Sequence, residues 1–125
     1  MSQSIRDFER SFTAGASTLI AKQYQVMKQH TDGTLIIAAA ATDHFVGVLQ
    51  NKPAVGAAGL IRFIGTTKAV AGGTINPGDY VTSANGTVIT TVTNKDTILG
   101  TYLGTAACSS GDVVEILLHI GKLSS

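Results

Sequence analysis

The side chains that most often carry chemistry are histidine, cysteine and paired carboxylates, and this 125-residue chain holds few of them. His30, His44 and His119 stand apart, with no two at the spacing by which one helix presents two metal ligands. Cys108 is the single cysteine, which excludes an internal disulfide, a thiolate zinc site and a paired-cysteine redox motif. It lies in a small-residue stretch, Ala106 to Gly111, and reads as a small buried or half-buried thiol in a loop rather than a nucleophile. Asp79 and Asp112 share a context, Gly78-Asp79-Tyr80-Val81 and Gly111-Asp112-Val113-Val114. Paired carboxylates suit acid–base work or calcium. An aspartate just before a strand, however, accepts hydrogen bonds from its own turn, and that is the expectation here. Gly56-Ala57-Ala58-Gly59 and Ala71-Gly72-Gly73 lack the lysine–serine/threonine end of a phosphate-binding loop, so both read as plain loops. The chain is expected to hold no catalytic residue, no metal and no cofactor, and not to be an enzyme.

Charge narrows the field further. Nine basic and eight acidic residues leave a net charge of +1, with no basic run. The electrostatic footprint of a nucleic-acid binder is missing, so no direct nucleic-acid partner is expected. Charged residues make up 14% of the chain, against about 25% in an ordinary soluble domain. Abundant Val, Ile and Leu argue against disorder. A neutral skin of this kind implies that part of the surface is covered by something else. The most apolar windows, such as Leu35–Ala41 and Val113–Ile120, fall short of the roughly 18–20 residues a membrane helix needs, so no membrane partner is expected. The N-terminus lacks the apolar core of a signal peptide, which points to synthesis in the cytoplasm.

The elements that must position these residues are β-strands. Runs of Val, Ile, Thr and Tyr broken by Gly, Asn and Asp predict strands near 18–19, 24–29, 34–38, 45–50, 60–64, 67–70, 80–82, 87–92, 98–103 and 113–119. Asp32-Gly33 and Asn85-Gly86 are hairpin pairs that tolerate positive φ. Asn76-Pro77-Gly78-Asp79 is a turn in which proline presets φ at the second position. The alanine run Ala38–Ala41 reads as a strand end and loop. Residues 1–13 are expected to be a separate N-terminal arm, the plainer alternative being a frayed terminus, and 14–125 a single β domain. Within the arm, Phe8 and Phe12 stand four apart, so a helical turn over Asp7–Phe12 would place them on one side. Ile5, Phe8 and Phe12 are the candidate contact residues for a partner.

The domain repeats itself. A shift of 53 residues lays Gly33-Thr34-Leu35-Ile36 on Gly86-Thr87-Val88-Ile89 and Phe45-Val46-Gly47 on Ile98-Leu99-Gly100. The same shift lays Leu60–Ile64 on Val113–Leu117 and sets Arg62 opposite Glu115 in the two copies, where both are expected to face water. Upstream a shift of 56 pairs Thr18-Leu19 with Thr74-Ile75 and Tyr24 with Tyr80, a tighter second hairpin absorbing the difference. Two similar β units, spanning roughly 18–64 and 74–117, are therefore expected to close one core together.

Four segments carry a resemblance: Gly47-Val48-Leu49-Gln50-Asn51-Lys52-Pro53-Ala54, then Ala58–Phe63, then Val70 through Asp79, then Gly111 through Leu118. Over about Ala14 to Leu118 the chain resembles the tailed-phage capsid decoration, or cement, proteins. It departs from them in its charged, aromatic N-terminus and its Gly121–Ser125 tail. The resemblance implies a mainly β fold, a small barrel-like or tulip-like domain, on the outer surface of a bacteriophage head. It also implies the major capsid protein and sister subunits in a homotrimer as partners, capsid stabilisation by clamping neighbouring capsomers, and no enzymatic residues. The other class in view is a β-rich binding module for glycans or a host surface, although such modules usually present tryptophan, which this chain lacks.

Overall fold

The computed structural model describes residues 9–15, 19–91 and 96–122. Among them every regular element is a strand, ten in all. β1 (Glu9–Thr13), β2 (Val26–Gln29), β3 (Leu35–Ile37), β4 (Phe45–Leu49) and β5 (Ala58–Arg62) make one antiparallel sheet, in the order β1-β5-β4-β2-β3. β6 (Gly65–Val70), β7 (Tyr80–Ala84), β8 (Thr87–Thr90), β9 (Thr97–Tyr102) and β10 (Val113–Lys122) make the other, in the order β6-β10-β9-β7-β8. Adding five to each strand number of the first sheet yields the second. The expected mainly β domain of two similar units is therefore present, as two open five-stranded sheets without closure into a barrel. No helix among the described residues is long and apolar enough to cross a membrane.

The repeat reaches further upstream than the sequence suggested. Glu9–Thr13 pairs with β5 as β6 pairs with β10. Over its described part, the helical turn expected across Asp7–Phe12 is instead a strand, because the ladder to β5 supplies partners that a lone turn lacks. Phe12 lies in that strand; Ile5 and Phe8 lie outside the described residues.

Hydrogen-bond register also corrects the alignment of the units. Val26 pairs with Val48, and Tyr80 pairs with Thr101, so Tyr80 corresponds to Val26 rather than to Tyr24. Val48 pairs with Arg62, and Thr101 with Leu117, so Arg62 corresponds to Leu117 and not to Glu115. The central shift of 53 stands. Met27 pairs with Ile37 and Val81 with Thr90, which makes the second hairpin tighter by one residue rather than three. In that hairpin Asn85 and Gly86 both take positive φ, 52° and 89°, as its two-residue turn requires.

The cores confirm the corrected register. Ala14, Leu19, Met27, Leu35, Leu49 and Ile61 form one buried cluster. Their counterparts Ala71, Ile75, Val81, Val88, Tyr102 and Ile116 belong to the other. Ala14 bridges to Leu35 and Ala71 to Val88 in the same parallel sense. The second cluster is larger because the first sheet adds Val26, Ala38, Phe45 and Val48 from its opposite face. A bulge at β4 allows this: Met27 faces Gly47 but Lys28 faces Phe45, so Phe45 and Val48 turn toward the second unit. Backbone bonds close the seam, with Val26 N–H donating to the Gly86 carbonyl at 2.7 Å and Gly86 N–H to the Ala38 carbonyl at 3.0 Å. Ser83 Oγ donates to the same Ala38 carbonyl at 2.6 Å.

Candidate functional site

Alternation in β1 sends Arg10 and Phe12 to one side, where the Arg10 guanidinium lies 5.5 Å from the Phe12 ring centre. They line a groove of about 530 Å³ that also meets Phe45, Phe63, Ile64, Leu118 and Ile120. Three of the chain's four phenylalanines thus converge on the seam between the units. Phe45 is buried, Phe12 and Phe63 are half-buried, and Ile64 and Ile120 are exposed. A mostly apolar groove with Arg10 and His119 among its lining residues suits the capture of an apolar side chain. Of the three candidate contact residues, Phe12 is placed in this groove.

His119 apart, the residues considered for chemistry fall elsewhere. Asp79 Oδ2 accepts from Asn76 N–H at 3.0 Å and from Thr90 Oγ1 at 2.9 Å, and Asp112 Oδ2 accepts from Ser109 N–H at 2.9 Å. Both carboxylates bind their own turns, as expected. Cys108 is buried, with Sγ 3.8 Å from the Gly73 carbonyl. Beside it, burial pushes the Tyr102 phenol above its ordinary value, and the hydroxyl donates to the Ala106 carbonyl at 2.7 Å. His119 lies 2.6 Å from Thr101 Oγ1 and edge-on to Tyr80. His30 and His44 border a depression together with Lys28 and Asp43. Burial pushes the Asp43 carboxyl up there, but the Ala40 N–H at 3.0 Å and the Lys28 ammonium at 3.2 Å outweigh it and hold the carboxyl below the usual range. Among the described residues no group of three or more His, Cys, Asp or Glu is arranged to hold a metal ion.

One charged pair was not anticipated. Arg62, expected to face water, donates from Nε and Nη2 to Glu9 Oε2, the former at 2.9 Å, and from Nη1 to the Thr66 carbonyl at 3.1 Å. Glu9 and Arg62 stand directly opposite in the β1–β5 ladder. Both side chains are partly solvated, so Glu9→Ala is expected to cost no more than about 1 kcal/mol in urea unfolding. The pair pins the edge strand in register more than it stabilises the domain.

Fold and groove together define a class: a small antiparallel β domain of two repeated units with an apolar groove at the seam between them. No protein-family model matches the chain, and no curated protein matches its sequence. Its fold does match a solved structure, that of the N base of head fiber gp8.5 in bacteriophage phi29. The TM-score is 0.68 at 20% identity, over 94% of this chain and 99% of that one. A likeness at that identity establishes the shared fold.

Proposed function

We propose that this chain is a non-enzymatic structural protein of a bacteriophage head, seated on the outer surface of the shell and bound to the major capsid protein. The observation that carries the reading is the match over nearly the full length of both chains to the base of a head fiber. The decoration-protein resemblance of Gly47–Ala54 and Val70–Asp79 and the low charge content of the chain support it independently. A protein that binds the assembled shell and not its free subunits stabilises the shell by mass action. Contacts to neighbouring capsomers, repeated in a homotrimer, would multiply that effect through avidity, which is the clamp.

The N-terminal residues are assigned to docking. Ile5 and Phe8 precede β1, whose Phe12 lines the groove. Deleting residues 2–8 leaves every described strand intact, and the shortened chain is expected to fold yet occupy heads at least roughly tenfold more weakly, the scale of one lost apolar anchor. Deleting residues 2–12 also removes most of β1 and is expected to destabilise the domain itself. Co-sedimentation with purified heads reads the occupancy. Equal pelleting of the full chain and the 2–8 deletion would remove the arm from the interface, whereas failure of the full chain to pellet with heads would overturn the proposed function.

A further inference from the structure

The outer face of the second sheet is bare where the matching part of the first, at Val26 and Val48, is covered; Arg62, which corresponds to Leu117, lies at the partly solvated edge of that cover. Leu117 in β10 stands opposite Thr101 in β9, and Thr101 opposite Tyr80 in β7, so the three form one row across the sheet. Alternation puts Glu115 and Val113 on the same side of β10, and Leu103 follows Thr101 on that side of β9. Tyr80, Leu103, Val113 and Leu117 remain 46%, 42%, 55% and 41% exposed. They are half of the eight large apolar side chains that are exposed among the described residues.

The first unit shows what belongs on such a face. In the corrected register Tyr80 corresponds to Val26 and Thr101 to Val48, and both valines are 0% exposed beneath the second unit. The partner that covers that face within the chain is another copy of the same β unit. The bare face continues this internal interface by one step, and it is close to neutral: Glu115 stands opposite Lys68 in the β6–β10 ladder, so two such faces do not repel. His119, held by Thr101 Oγ1 at 2.6 Å and edge-on to Tyr80, keeps the ring of Tyr80 in place on it.

We propose that the Tyr80–Leu117 face is the surface on which a second copy of this chain packs. The inference deepens the homotrimer part of the proposed function and rests on that reading only for the number of copies. It is tested on the free full-length chain without heads, so its failure is separable from a failure to bind the shell. Sedimentation velocity across the micromolar range would compare the native chain with Leu117→Lys and Tyr80→Lys, and with Val55→Lys as an exposed control outside the face. The native chain and V55K are expected to associate alike. Both face variants are expected to associate roughly a hundredfold or more weaker, because an unpaired ammonium would be buried at the contact. Far-UV circular dichroism shows that the variants are folded, and two independent positions guard against one that is not. A native chain that stays monomeric, or face variants that associate like it, would overturn the proposal. Loss of head binding by L117K in a chain that is monomeric throughout would instead assign the face to the capsid protein.

Discussion

Gly100→Ala is expected to destabilise the domain by about 3 kcal/mol, and Gly47→Ala by a similar amount, the upper range for forcing an extra methyl group into a packed site. A Cβ on Gly100 would lie 2.0 Å from the Leu117 carbonyl oxygen, and one on Gly47 would lie 2.3 Å from that of Arg62. These neighbours are backbone in the adjacent strand and cannot turn aside as a flexible side chain would. Gly47 adds a φ of 142°, which a residue with a Cβ rarely adopts. The two glycines occupy corresponding places, since Gly47 aligns with Gly100 and Arg62 with Leu117. The paired losses therefore report on the repeat as well as on each site. Urea unfolding should show both midpoints falling with the slope unchanged. Gly73→Ala, where nothing lies within 4 Å of the added carbon, should stay within about 1 kcal/mol of the native chain. If G47A and G100A are as stable as G73A, the close strand approach at the bulge is wrong.

Phe45→Ala is expected to cost about 3–5 kcal/mol, the usual range for emptying a buried aromatic site. Phe45 belongs to β4 of the first sheet but packs in the cluster built on the second. Its loss should lower the melting temperature by roughly 12–20 °C, at about 4 °C per kcal/mol for a domain of this size. Because the ring belongs to both units, near-UV and far-UV signals should still change together in one transition. Two separated transitions would mean that the units are held by the backbone bonds at the seam alone. Phe12→Ala, at the half-buried groove, should cost clearly less, and its effect should appear mainly in head binding.

What could be read without coordinates was what is dictated locally. Asn85-Gly86 demands a two-residue turn wherever it falls, and the Val, Ile and Thr runs around it have few alternatives to strands. The repeat was visible because Gly33, Gly47, Gly86 and Gly100 sit at backbone positions where side chains are costly, and those positions recur. Its register was less visible, because alternating β residues fit a slip of two as well as the true pairing. Tyr24 beside Tyr80 and Arg62 beside Glu115 were slips of that kind. β1 was hidden for another reason: Glu9-Arg10-Ser11-Phe12-Thr13 is an edge strand with little to bury, and its ladder comes from β5, far away in sequence. The Glu9–Arg62 pair and the groove of Phe12, Phe45 and Phe63 are likewise products of topology. No spacing along the chain brings those residues together; the strand order β1-β5-β4 and the bulge at Gly47 do.

The most direct test of the proposed function is a cryo-electron microscopy map of purified heads lacking this protein, recorded before and after the full-length chain is added. The expected result is added density on the outer surface of the shell at regular positions between capsomers, into which the two-sheet domain fits with its seam groove toward the capsid protein. Maps that are identical before and after addition, at saturating protein, would contradict it.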